Sequence, residues 1–234
     1  MKILAHRGAS RVAPENTLAA FVEAATLGAD GVELDVHRSA DGLLVVHHDA
    51  VAPGVGVLAD HSAAEIRRAL PSVPTLAEAL DASAGMLVNV EVKNLPGDAD
   101  YDPDERAAVA VVELLGARER GDDVLVSSFS LASIDTVRGL DDTIPTALLT
   151  LVGFDPLEGA AVAAERGHAA IHPDVRSLVG PVAGALAARA GELALTVNAW
   201  TVNDAAEVRR LAAAGIDGVI TDVPDVARAA LDPS

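Results

Sequence analysis

The sequence predicts an α/β fold, a closed (β/α)8 barrel that takes residues 1–234 as a single domain. Three observations predict it. Short apolar runs alternate with Ala-rich helical segments along the whole chain, which specifies βαβ units and a parallel sheet. The 234 residues are 50% hydrophobic, enough for one large core near the lower size limit of such barrels. Aromatic residues make up only 2%, so Ala, Val and Leu must fill that core, which suits a parallel sheet covered by helices.

The elements follow in order. Residues 2–6 read as the first strand and 17–27 as its helix. Residues 31–36 form the second strand. Residues 43–47, behind the turn Asp41-Gly42, add a short strand, either a barrel strand or its neighbour. A helix at 75–82, a strand at 86–93 and a helix at 103–119 come next. The second half keeps the rhythm more plainly. Strands at 124–128, 146–150, 169–172, 194–200 and 218–221 precede helices at 131–139, 158–166, 180–190, 205–214 and 225–231. Residues 50–72, rich in Gly, Pro and Val, read as a loop insertion with one short helix at 62–70. A doubly wound open sheet is the alternative. It carries a Gly-rich phosphate loop after its first strand, and His6-Arg7-Gly8-Ala9-Ser10 is not one.

Composition excludes several functions. The formal charge is −18, from 17 basic and 35 acidic residues, which repels nucleic acid and anionic lipid surfaces. With no cysteine there is no disulfide, thiolate nucleophile or Cys-zinc site. Met1 to His6 lacks the apolar region of a signal peptide. No uninterrupted apolar run reaches membrane-spanning length. A cytoplasmic protein without stable membrane insertion is expected. Oligomeric state is not encoded in any feature of the sequence.

Ionisable residues collect where barrel enzymes do their chemistry, at the C-terminal ends of strands. The first strand ends in His6-Arg7-Gly8. Glu33 and Asp35 alternate on one face of the second, and His47-His48-Asp49 closes the next. In the strand at 86–93, Val88, Val90 and Val92 share the face toward the helices, and Asn89, Glu91 and Lys93 share the barrel interior. A polar set inside a barrel is costly unless each group is paired or ligates something. Taken singly, each piece has a plainer reading. An alternating Glu and Asp can be a solvated strand face, and His37, His61, His168 and His172 read as structural. Convergence at the first few strands favours a site. Three carboxylates without Cys point to a hard, oxygen-preferring cation, Mg²⁺ or Ca²⁺, while a histidine ligand would admit Mn²⁺ or Zn²⁺. Glu33, Asp35 and Glu91 carry three negative charges; a divalent cation with Arg7 and Lys93 carries four positive. The surplus of one attracts a phosphodiester, for which Arg and Lys are suited partners.

The segments His6-Arg7-Gly8 and Pro14-Glu15-Asn16-Thr17 resemble the opening signature of the glycerophosphodiester phosphodiesterase family. Gly31-Val32-Glu33-Leu34-Asp35-Val36, the run from Asp41 to Asp49 and the run from Val73 to Leu80 resemble it too. So do Asn89-Val90-Glu91-Val92-Lys93, Ser128-Phe129, Ala199-Trp200-Thr201-Val202-Asn203 and Gly218-Val219-Ile220-Thr221-Asp222. Each piece is short, but their order and spacing are specific and span nearly the whole chain. The resemblance implies a (β/α)8 barrel and hydrolysis of glycerophosphodiesters to glycerol 3-phosphate and an alcohol. It implies a divalent cation on Glu33, Asp35 and Glu91, and His6 with His48 as the acid–base pair. It places Arg7 and Lys93 on the phosphate and Trp200 along the substrate pocket. Many family members follow the His-Asp pair with a longer insertion rich in Thr and Arg. Here Ala50 to Gly56 is short and uncharged, which bears on the head group accepted. Lysophospholipase D activity at the same site is the alternative, with residues 51–58 as an apolar feature. A barrel that only binds phosphodiesters would have lost part of this set, and an isomerase or aldolase would not need it.

Overall fold

In the computed structural model, which describes residues 1–118 and 123–232, the sheet closes on itself. The strands are β1 (Lys2–His6), β2 (Gly31–Arg38), β3 (Leu44–Val46), β4 (Val51–Ala52), β5 (Gly56–Val57), β6 (Leu87–Val92), β7 (Asp123–Ser128), β8 (Thr146–Thr150), β9 (Ala170–Pro173), β10 (Thr196–Ala199) and β11 (Gly218–Thr221). The helices are α1 (Leu18–Thr26), α2 (Ala63–Ala69), α3 (Leu76–Ala82), α4 (Arg106–Ala117), α5 (Leu131–Leu140), α6 (Pro156–Glu165), α7 (Val182–Glu192), α8 (Ala205–Ala213) and α9 (Pro224–Leu231). β1 pairs in parallel with both β11 and β2, and the remaining pairs from β6 to β11 are parallel. The barrel therefore has eight strands, β1, β2 and β6 to β11. β3 runs antiparallel along the end of β2, so the second candidate behind β2 is a neighbour rather than a barrel strand.

Strand alternation decides which residues face the helices. Val88, Val90 and Val92 of β6 join Val32, Leu34 and Val36 of β2 in a layer that also holds Phe21, Leu76 and Val111 from the helices. Burying each such side chain contributes roughly 1.5–3 kcal/mol. Phe21 is the one aromatic among the largest fully buried side chains, so the core rests on Leu, Ile, Val and Ala, as the composition requires.

Two expectations are corrected. Residues 50–72 are not a bare loop with one helix. They contain the β4–β5 hairpin, a 3₁₀ turn at Leu58–Asp60 and α2, held by Val45, Ala52, Leu58, Ile66 and Val73. The strand expected at 194–200 is shorter. Ala194 sits at φ = 55°, a left-handed conformation incompatible with a strand, and β10 starts at Thr196. The expected end of the third main helix at Glu119 lies outside the described residues. No helix among the described residues is long and apolar enough to cross a membrane.

Candidate active site

Register brings the carboxylates together. Asp35 pairs with Glu91, and Glu33 with Asn89, across the β2–β6 ladder. Alternation turns all four into the barrel. One oxygen from each of Glu33, Asp35 and Glu91 lies within 4.8 Å of the others, and all three residues are buried. Lys93 Nζ is 2.9 Å from Asp35 Oδ1 and 2.5 Å from Glu91 Oε1. Arg7 Nε is 3.4 Å from Asp35 Oδ2, and Asn16 Nδ2 donates to that oxygen at 2.8 Å. The Arg7 backbone N–H donates to Glu33 Oε2 at 3.0 Å.

The β1–α1 turn aims these donors. Arg7 and Gly8 both take left-handed conformations, φ = 57° and 77°. A Cβ on Gly8 would sit 2.7 Å from Ala20, so only glycine fits. Asn16 is also left-handed, which Asn tolerates, and its amide then reaches Asp35 while Thr17 caps α1.

Three carboxylates face two cations, and the imbalance shows in their acidities. Burial, helped by the Asp35 charge, pushes Glu33 up to about 8. Burial also raises Glu91 to about 7, against the pull of Lys93 and helped by Asp35 and Glu33. Burial acts on Asp35 too, but Lys93, Arg7 and His48 outweigh it and hold its carboxyl below the ordinary value. Glu33 Oε1 is buried with no hydrogen-bond partner. An all-oxygen donor set, an orphaned carboxylate oxygen and excess negative charge fit a hard divalent cation.

Two imidazoles flank the trio. His6 Nδ1 is 2.6 Å from Asp222 Oδ1, and its Nε2 is 3.9 Å from Glu33 Oε2. Asp222 is itself fixed: Asn203 Nδ2 donates to its Oδ2 at 2.6 Å, and Asn203 Oδ1 accepts from its backbone N–H at 2.9 Å. His48 Nδ1 is 2.6 Å from Asp49 Oδ1. In both rings Nδ1 meets a carboxylate, so Nε2 is the nitrogen turned away from it. Burial lowers the His48 pKa; Asp35 pulls it up and Lys93 and Arg7 push it down, so the ring lies within the field of the trio. His47 does not join them. Its Nδ1 accepts from the Asp49 N–H at 3.1 Å, and it lines a neighbouring hollow with Pro14, Val73 and His48.

A cavity of about 530 Å³ opens beside the trio, lined by His48, Glu91, Lys93, Ser128 and Phe129. Trp200 meets Phe129 edge-on at 5.5 Å, and its indole N–H donates to the His172 carbonyl at 2.9 Å. His6, Arg7, Glu33, Asp35, His48, Glu91 and Lys93 thus share one end of the barrel, and Trp200 stands behind a wall of the cavity.

The profile of the Glycerophosphoryl diester phosphodiesterase family matches residues 6–226. The chain belongs to that family. It is 31% identical over 240 residues to a glycerophosphodiester phosphodiesterase of Caldanaerobacter subterraneus subsp. tengcongensis, covering 95% of this chain and 94% of the relative. Its fold matches a phosphodiesterase of Oleispira antarctica, solved in complex with the product sn-glycerol-3-phosphate, with a TM-score of 0.86 at 26% identity, covering 100% of this chain and 97% of that one. It also matches the Thermotoga maritima glycerophosphodiester phosphodiesterase, with a TM-score of 0.80 at 27% identity, covering 96% of this chain and 95% of that one. The chain is therefore a phosphodiesterase-family enzyme. In this phosphodiesterase barrel, sequence reasoning assigned no role to Asp222, Asn203 or Asp49. The signal available was the place of Asp222 at the end of the last strand, which closure sets beside β1. His172, read as structural, is fully buried, which drives its pKa to about 3, and its Nε2 faces the Asn198 amide.

Proposed function

We propose that this enzyme hydrolyses glycerophosphodiesters to glycerol 3-phosphate and an alcohol, with Glu33, Asp35 and Glu91 holding Mg²⁺ or Ca²⁺. The reading rests on one observation: two carboxylate-backed imidazoles flank a buried, partly unpaired carboxylate trio. The product complex of the Oleispira antarctica relative supports the same substrate class. The chemistry a cation supplies here is electrostatic, offsetting charge that develops on the phosphoryl group.

The protein's own groups do the rest. His6, with Nδ1 held by Asp222, takes the proton from the nucleophile at Nε2. His48 gives a proton to the leaving alcohol oxygen; burial lowers its pKa from the ordinary imidazole value, which makes its protonated form a stronger acid. Arg7 and Lys93, now engaged with the carboxylates, supply the positive charge that draws the phosphate. The 530 Å³ cavity on the His48 side takes the alcohol, and Phe129, backed by Trp200, shapes its edge. The lysophospholipase D alternative loses the feature that suggested it. Residues 51–58 fold into the hairpin and turn Ala52 and Leu58 inward, rather than forming an open apolar channel.

The test is a coupled assay for glycerol 3-phosphate across glycerophospho-choline, -ethanolamine, -glycerol and -inositol. Turnover is expected with Mg²⁺ or Ca²⁺, lost on chelation and restored by the cation. Full turnover in excess chelator refutes the cation-dependent reading. A diester lacking the glycerol 2-hydroxyl separates attack by that hydroxyl from attack by water, since unimpaired turnover excludes a cyclic phosphate. Asp222→Asn keeps the shape but releases the His6 ring from its carboxylate. It is expected to lower kcat about 10²-fold with KM nearly unchanged. Unchanged steady-state kcat would remove Asp222 from the site.

A further inference from the structure

His37 stands one alternation beyond Asp35 on β2 and is 1% exposed. Its two ring nitrogens reach the His48 backbone and the segment between β6 and α4, both of which contribute residues to the lining of the 530 Å³ cavity. Nε2 is 3.1 Å from the backbone oxygen of His48. Nδ1 is 2.6 Å from Asp100 Oδ2, in the segment between β6 and α4. A carbonyl can only accept, so Nε2 carries a hydrogen, and the 2.6 Å contact at Nδ1 holds a second hydrogen between the ring and the Asp100 carboxyl. No backbone group among the described residues pairs with the His48 carbonyl, so the His37 ring is what holds it. Asp100 has no other role on view. Its side chain is 5% exposed, and its second oxygen is buried without a partner.

The segment that delivers Asp100 is built rigidly. Asn94 Nδ2 donates to the Asp102 carbonyl at 2.9 Å, and Asn94 Oδ1 accepts from the Asp102 N–H at 2.8 Å. Asp98 Oδ2 accepts from the Leu95 N–H at 3.0 Å. Gly97, Asp98 and Ala99 then line the cavity together with Asp49 and Val51. His48 needs this support. It lies outside any strand, and among the described residues its ring, 37% exposed, is hydrogen-bonded only to Asp49, itself 69% exposed.

We propose that the buried His37–Asp100 pair is a positioning device that acts through the His48 backbone, keeping the His48 ring in line with the leaving alcohol oxygen. This rests on His48 as proton donor in the function proposed above. Neither His37 nor Asp100 touches the substrate.

The test exploits the leaving group. An alkyl alcohol such as choline must be protonated as it leaves, whereas p-nitrophenolate leaves without a proton. Glycerophosphocholine and glycerol phospho-p-nitrophenol are therefore compared in the whole enzyme with Mg²⁺. Asp100→Ala is expected to lower kcat about 10-fold or more on the choline diester and less than about twofold on the p-nitrophenyl diester. Asp100→Asn, which can still pair with Nδ1, recovers most of the choline turnover. His37→Ala repeats the selective loss, and in a His48→Ala background either change adds nothing further. Because His37→Ala empties a buried site, the Asp100 variants carry the test if it does not fold, with Tm and Ca²⁺ affinity by calorimetry as the fold check. Equal losses on both substrates, or none on either, in the Asp100 variants overturn the positioning role while His48→Ala remains selective. A His48→Ala enzyme that loses both substrates equally overturns the donor assignment and the positioning role with it.

Discussion

His48→Ala is expected to lose at least ~10²-fold in kcat on alkyl glycerophosphodiesters while keeping its fold and its cation affinity. Stability is spared because the ring is 37% exposed and sits outside the strands, so truncation opens no cavity. Turnover is not spared, because an alkoxide is a poor leaving group until it is protonated. The acid form of His48 is the working one, and burial lowers its pKa from the ordinary value. Its protonated fraction therefore falls as pH rises, starting below the pH at which a free imidazole would titrate. The wild-type kcat profile should show that alkaline decline, and the variant should lose it. Near-normal turnover in His48→Ala would refute the role, and an unchanged profile would assign the decline to another group.

The second large effect falls on the trio. Glu91→Gln is expected to weaken Mg²⁺ or Ca²⁺ binding at least ~10-fold by calorimetry, and unchanged affinity would remove Glu91 from the ligand set. The same change should act in the opposite sense on the cation-free protein. Glu91 is raised from 4.5 to about 7 and Glu33 from 4.5 to about 8. A carboxyl raised on folding adds stability that is fully present below its unfolded value and lost as pH climbs through its folded value. The cation-free Tm of the wild type should therefore fall between about pH 5 and pH 8. Glu91→Gln, neutral at every pH, should flatten that fall and raise the cation-free Tm near pH 8. Cation binding must displace the same protons, so wild-type affinity should rise through this window with proton release, and the variant should release fewer. A Tm that is flat with pH in the wild type would contradict the acidities on which this rests.

What could be read from the chain and what could not divides along sequence separation. The contrast of Val88, Val90 and Val92 with Asn89, Glu91 and Lys93 is a period-two pattern, and any strand geometry turns it into an inside and an outside. The two-residue strands of the β4–β5 hairpin leave no such pattern. They exist because Ala52 and Leu58 pack against Ile66 and Val73, a contact no local rule announces. His47 and His48 are adjacent and chemically identical, and only the chain's turn after β3 decides which one meets the cavity beside the trio. His37 looked like an ordinary strand residue because its partner Asp100 is 63 positions away.

The sequence alone determined the eight strand–helix repeats, the faces of the strands and a carboxylate trio too costly to bury without a purpose. These follow from local periodicity and from the free energy of placing charge in an apolar interior. Only the tertiary structure decided that Asp222 backs His6 across 216 positions, that Asn16 secures Asp35, and that His37 ties Asp100 to the His48 carbonyl. Those pairings depend on β11 closing against β1 and on the path of the segment after β6, and the energy that selects them is shared over the whole barrel rather than held in any one stretch of chain.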